Sequence, residues 1–183
     1  MKKFVFAAVL AALSLVACKP AAAADYTYVG AAYTTANVED SSADAFLVKG
    51  SYALNDLVFL EASYKNGFNS DVALDAGTVK FGVGLRTAIL KNMDLYGTLS
   101  SSVVVDDVRD GDKYSYEVEG GVRAQATDRL EVRAGAVAFE RDGIRYGGKI
   151  GAEYAVTKNI RLGADVLAKD GASEAQLGAR WYF

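Results

Sequence analysis

Apolar and polar residues alternate along most of this chain with a period of two. The stretch TVKFGVGLRT at 78–87 is an example, because its valines, phenylalanine and leucine share one face while its lysine, glycines and arginine share the other. Such alternation predicts β-strands with one apolar and one polar face. Ten segments show the pattern: 26–35, 45–54, 57–66, 78–89, 93–104, 114–126, 129–139, 144–156, 160–168 and 174–183.

The connections between these segments alternate in length. Tight polar turns are predicted at 55–56, 91–92, 127–128 and 157–159, and mostly longer loops rich in Asp, Ser and Gly are predicted at 36–44, 67–77, 105–113, 140–143 and 169–173. Short turns at one end and longer loops at the other are typical of outer-membrane barrels. The sequence therefore predicts an all-β fold, an antiparallel up-and-down transmembrane β-barrel of ten strands. Eight strands is the alternative count.

A soluble barrel with its apolar face inside would show the same alternation. Two features favour the membrane. Glycines crowd the charged face, which suits a lumen filled by long side chains better than an exposed strand face. Aromatic residues also cluster near both ends of the strands, as in the girdles of membrane barrels. The turn-end girdle is predicted to contain Tyr52, Tyr154, Trp181 and Phe183, and the loop-end girdle Phe46, Tyr64, Tyr114, Tyr116 and Tyr146.

The first 24 residues have the features of a secretory signal peptide. Lys2 and Lys3 precede an apolar run, and small residues precede Asp25. We predict cleavage after residue 24, which leaves a barrel domain of residues 25–183. The segment Leu-Val-Ala-Cys ending at Cys18 also fits a lipobox, so lipidation of Cys18 is the alternative.

Composition excludes several function classes. Removal of residues 1–24 takes away three lysines and no acidic residue, so the net charge falls from −3 to −6. Such a chain is a poor nucleic-acid binder. The remaining residues contain no Cys and no His, so a disulfide framework is excluded and the usual general base near neutral pH is absent. We predict no enzymatic activity and no cofactor.

The chain ends in Trp181-Tyr-Phe183. This ending resembles the terminal signal by which Gram-negative outer-membrane barrels are delivered to the barrel-assembly machinery. Two further stretches, YTYVGAAY at 26–33 and YEVEGGVR at 116–123, resemble a family of small outer-membrane barrels once proposed as quorum-regulated activators of plant immunity. Gly30 departs from that family, where an acidic residue is expected. The resemblance implies an outer-membrane location and no established chemistry.

If the apolar set faces lipid, the polar set forms a lumen with nearly balanced charge. We predict that these charges form an ion-pair network that fills the barrel, and that the protein has a structural or surface-interaction role. The alternative is a narrow porin-like channel for ions or small solutes. The predicted lumen charges are Lys49, Glu61, Lys65, Lys80, Arg86, Glu117, Glu119, Arg123, Glu131, Arg133, Arg145, Lys149, Glu153, Arg161, Asp165, Glu174 and Arg180.

The predicted loops carry an excess of acidic residues. Four of them, Asp106, Asp107, Asp110 and Asp112, are candidates for a Ca²⁺ site, although they lack EF-hand spacing. We expect the loops to contact lipopolysaccharide phosphates through divalent cations. Lipid and the assembly machinery are the other expected partners, and the protein is expected to be a monomer.

Overall fold

A computed structural model of the chain describes residues 25–38, 41–70, 77–105, 114–140 and 143–183. They form a closed barrel of ten antiparallel strands, each paired with its neighbours in sequence, which confirms the predicted fold. The strands are β1 (Tyr28–Val38), β2 (Ser41–Ala53), β3 (Val58–Ser70), β4 (Gly77–Leu90), β5 (Met93–Val104), β6 (Tyr114–Gln125), β7 (Leu130–Glu140), β8 (Ile144–Ala155), β9 (Ile160–Lys169) and β10 (Ala172–Tyr182).

The barrel closes between its first and last strands. Their ladder runs from Tyr28 opposite Tyr182 to Val38 opposite Ala172. This pairing was expected, because a closed sheet in lipid leaves no unpaired edge. The end with the connections 54–57, 91–92, 126–129 and 156–159 is called the turn end below, and the opposite end is called the loop end.

One of the five predicted longer loops, 36–44, is wrong. β1 and β2 run to within two residues of each other, so 36–44 is mostly strand. The connections predicted at 140–143 and 169–173 agree with the structure to within one or two residues, because β8 begins at Ile144 as predicted and the turn after Lys169 ends where β10 begins, at Ala172. Between Asn37 and Asp44 most residues are polar, so the alternation of the sequence fades there. The backbone ladder nevertheless continues, because strand pairing does not need an apolar face.

The outer surface of the barrel is apolar. Large exposed side chains include Phe81, Leu99 and Leu177, all of which belong to the apolar set of their strands. All nine aromatic residues predicted for the two girdles are exposed on this surface. No helix in the described part of the chain is long and apolar enough to cross a membrane.

Glycines on the lumen face make room for side chains from other strands. A Cβ atom at Gly84 would overlap the ring of Phe59, and one at Gly151 would overlap the carboxylate of Asp165. The predicted reason for glycines on the charged face, space beside long side chains, therefore matches the packing at these two positions.

Candidate functional site

The turn-end half of the lumen contains two buried glutamates on neighbouring strands. Glu131 on β7 lies directly opposite Glu153 on β8, and each is only 1% exposed. Two like charges at this spacing repel each other unless cations separate them. Arg123 donates from Nε to Glu131 Oε1 at 2.9 Å, and Arg161 donates from Nη1 to Glu131 Oε2 at 3.0 Å. Glu131 is therefore fully paired.

Glu153 and Asp165 share a second pair of arginines. Arg133 donates from Nη1 to Glu153 Oε1 at 2.5 Å, and from Nε and Nη2 to the two oxygens of Asp165 at 2.6 Å each. Arg180 forms an ion pair with Glu153, and its Nη2 lies 3.8 Å from Asp165 Oδ2. Charges removed from water need such close partners, because the low dielectric makes an unpaired charge expensive.

Tyrosines complete this arginine–carboxylate cluster. Tyr182 donates its hydroxyl to Glu153 Oε2 at 2.7 Å, and the guanidinium of Arg161 lies 4.6 Å from the centroid of the Tyr182 ring. The guanidinium of Arg180 lies 4.6 Å from the centroid of the Tyr28 ring. Such cation–π stacking covers the flat faces of guanidinium groups whose edges form the ion pairs.

Tyr26, just before β1, lies inside the barrel at the turn end. Its ring lies between two guanidinium groups, with centroid distances of 4.5 Å to Arg86 and 4.3 Å to Arg123. The ring of Phe59 packs against it at 4.6 Å between centroids. Burial raises the pKa of the Tyr26 phenol to about 12, so the group is neutral at physiological pH. Together these four side chains form a layer across the turn end of the lumen.

The loop-end half of the lumen encloses a cavity of about 440 Å³. Three partly exposed lysine–glutamate pairs line it: Lys65 Nζ to Glu174 Oε2 at 2.9 Å, Lys80 Nζ to Glu117 Oε1 at 2.7 Å, and Lys149 Nζ to Glu119 Oε2 at 3.0 Å. A smaller cavity of about 70 Å³ lies below it, next to Tyr26 and Phe59. The lumen thus has an open, lysine-lined outer half and a filled, arginine-lined inner half.

The structure brings most of the predicted lumen charges together in these two clusters. Glu61 lines both cavities, and Arg86 stacks on Tyr26. Arg145, at the start of β8, is exposed at the loop end and takes no part in the ion pairs seen in the described residues. The predicted pairing of lumen charges is therefore observed.

Several lumen residues were missed by the sequence analysis. Lys169 had been assigned to a loop, but it ends β9 and lines the larger cavity. Asp94, only 3% exposed, lies opposite Arg123 in the β5–β6 ladder. Tyr96, which donates to Glu119 Oε1 at 2.6 Å, was also missed. Parity was the signal that could have found them, since Lys169 has the same parity as Arg161 and Asp165 on β9, and Asp94 and Tyr96 have the same parity as the polar residues Thr98 and Ser100 on β5.

Five candidate positions, namely Cys18 and the four loop carboxylates Asp106, Asp107, Asp110 and Asp112, lie outside the described residues. Within the described ranges, no group of three or more Cys, Asp or Glu side chains could hold a metal ion.

Solved structures with the same fold include a porin and an outer membrane channel. The KdgM porin matches with a TM-score of 0.53 and 8% identity, over 84% of this chain and 99% of that one. An outer membrane channel from Pseudomonas putida F1 matches with a TM-score of 0.57 and 9% identity, over 87% of this chain and 96% of that one. At such low identity the likeness concerns the fold alone.

No curated protein sequence matches this chain. The model of one protein family, described as the outer membrane protein beta-barrel domain, matches residues 8–183. That match covers nearly the whole chain, including all ten strands. The chain therefore belongs to the outer membrane protein β-barrel domain family and is located in the outer membrane.

Proposed function

We propose that this barrel serves a structural or surface-interaction role and does not support steady solute flow. The filled turn end of the lumen is the observation that carries the proposal. Buried charged side chains of the described chain concentrate there, and together with the layer around Tyr26 they occupy the cross-section. A ten-stranded barrel is only slightly wider than the eight-stranded kind that side chains just fill. The buried charged residues of the turn-end half are Asp94, Arg123, Glu131, Arg133, Glu153 and Asp165, and Glu119 lies where the two cavities meet.

Planar-bilayer recording tests this proposal. Refolded protein, with folding checked by heat-modifiable migration on a gel, is expected to insert without producing steady single-channel steps. Steady steps from the wild-type protein, abolished by mutation of lumen charges, would overturn the structural proposal in favour of a channel.

A porin-like channel is the second candidate function. The cavity of about 440 Å³ favours it, because half of the lumen is already open. The fold also resembles that of two proteins whose names describe a porin and a channel. Conduction would require Tyr26, Phe59 and Arg123 to leave their present positions, since these side chains close the inner half.

We also propose that the protein is not an enzyme. The chain contains no His, so the usual base for chemistry near neutral pH is absent. The cavity carboxylates Glu117, Glu119 and Glu174 are each held by a lysine. A carboxylate whose oxygen is occupied by a lysine is not free to take a proton from a substrate.

The proposed surface partner is lipopolysaccharide, contacted through divalent cations bound by the acidic loops. Most of those loop residues lie outside the described part of the chain, so this proposal rests on charge: phosphates and carboxylates repel unless cations bridge them. Addition of EDTA is expected to lower the unfolding midpoint in lipopolysaccharide vesicles but not in phosphatidylcholine vesicles. An equal effect in both would contradict it. Resemblance to the quorum-regulated barrels stays a prediction.

A further inference from the structure

Lys49, on the wall of the larger cavity, has no carboxylate of its own. Its Nζ lies 4.0 Å from Asp165 Oδ2, its nearest ion-pair contact in the described chain. That oxygen already accepts a hydrogen bond from Arg133 Nη2 at 2.6 Å. Ion pairing weakens with distance, and this oxygen is already occupied. Asp165 therefore neutralises the charge of Arg133 far better than that of Lys49.

The charges around Lys49 do not balance. Four cationic side chains share three carboxylates here, which leaves one positive charge in excess. The cations are Lys49, Arg133, Lys149 and Arg180, and the carboxylates are Glu119, Glu153 and Asp165. Glu61 lines the same cavity but makes no ion pair with any of these cations among the described residues. An uncompensated charge away from bulk water is costly.

The excess positive charge lies on the wall of the larger cavity. Lys49, Lys149 and Arg180 all line the cavity, which opens toward the loop end. Neutral hydrogen-bonding groups stand beside them. Ser63 lies directly opposite Lys49 in the β2–β3 ladder, and Gln176 lies directly opposite Asp165 in the β10–β9 ladder. Both side chains line the cavity as well. Across the whole cavity lining, six cationic side chains face five carboxylates, so the wall offers one positive charge in excess together with polar groups.

We propose that the loop-end cavity binds a small monovalent carboxylate with a polar body, whose carboxylate contacts Lys49 and whose hydroxyl groups bond to Ser63 and Gln176. One negative charge restores the balance, whereas a dianion would reverse it. A bare halide would meet the charge requirement but would leave the polar wall and most of the volume unused. The site needs access only from the loop end, so it does not depend on whether the lumen conducts.

Equilibrium dialysis of refolded protein in nonionic detergent tests the site, with labelled gluconate as the probe. Sorbitol is the matched neutral compound, because it replaces the carboxylate with a hydroxymethyl group. We expect one saturable gluconate site for which sorbitol does not compete. Lys49→Met should weaken gluconate binding by about tenfold or more, as expected for loss of a charge-assisted contact. Lys49→Arg should retain binding, and Lys158→Met, in an exposed turn, should change nothing.

A second readout requires no variant. Gluconate is expected to raise the unfolding midpoint of the wild-type barrel by mass action, and sorbitol at the same concentration is not. Absence of saturable binding, equal competition by sorbitol, or undiminished binding by Lys49→Met would each overturn the proposal. Failure of Lys49→Met to fold would also count against it, because removal of an excess charge should not destabilise the barrel. None of these readouts uses conductance, so they stand apart from the test of the proposed function.

Discussion

Arg133 binds Asp165 through two parallel hydrogen bonds, from Nε to Oδ1 and from Nη2 to Oδ2, each 2.6 Å long. Its remaining nitrogen, Nη1, donates to Glu153 Oε1. One side chain on β7 thus joins carboxylates from β8 and β9 inside the lumen. Bidentate arginine–carboxylate pairs are among the stronger polar contacts in proteins, and this one is almost wholly buried.

Arg133→Met is expected to destabilise the barrel by about 3–5 kcal/mol, because it leaves two buried carboxylates without their main partner. Urea unfolding in detergent micelles, followed by the fluorescence of the single tryptophan, Trp181, measures the change. Arg145→Met is the matched control, since Arg145 is exposed at the loop end, and it should shift stability by less than about 0.5 kcal/mol. Equal losses in the two variants would argue against the arginine–carboxylate cluster.

Gly84→Ala is expected to cost about 1–3 kcal/mol, the usual penalty for overpacking. The new methyl group would overlap the ring of Phe59, which cannot retreat easily because it also packs against Tyr26. Gly120→Ala is the control, because its Cβ would meet nothing closer than the Tyr96 carbonyl oxygen at 3.9 Å. The same unfolding assay compares the two variants. A destabilisation by Gly120→Ala as large as that by Gly84→Ala would contradict this account of lumen packing.

The sequence predicted the strand count, the closure between first and last strands, and the face on which most of the strand charges lie. Each of these follows from the period of two. Partners across the lumen could not be predicted in this way. Lys65 and its partner Glu174 are 109 positions apart, and Lys49 on β2 approaches Asp165 on β9. Strand tilt and stagger decide which residues of distant strands lie at the same height in the lumen. The alternation of apolar and polar residues encodes neither of them.

Strand ends were harder to predict for a related reason. The residues at the start of β2, Ser41 and Ser42, show no alternation, because beyond the lipid both faces of a strand contact water. Lys169 was placed in a loop for the same reason, since a charged residue followed by Asp-Gly reads as a turn. That misplacement hid one of the cations of the larger cavity.

Tyr26→Ala is expected to open the turn end of the lumen. It removes the ring between Arg86 and Arg123 and leaves Phe59 without its main packing partner. Bilayer recordings should then show resolvable openings that are absent in the wild-type protein. Tyr26→Phe keeps the ring and should stay closed. If Tyr26→Ala stays silent while its gel migration shows a folded barrel, then Tyr26 is not what closes the turn end.

Deletion of Phe183 is expected to impair assembly in cells several-fold while leaving the folded barrel nearly as stable as before. The β1–β10 ladder ends at Tyr182, and Phe183 is exposed on the outer surface with its ring beside Trp181 at 5.6 Å between centroids. Its loss therefore breaks no ladder pairing and empties no buried site, so the unfolding midpoint should barely move. Heat-modifiable barrel in outer-membrane fractions measures assembly, and Phe183→Trp, which keeps a terminal aromatic ring, serves as the control. Normal assembly of the truncated chain would show that the terminal residue is not the signal read by the assembly machinery.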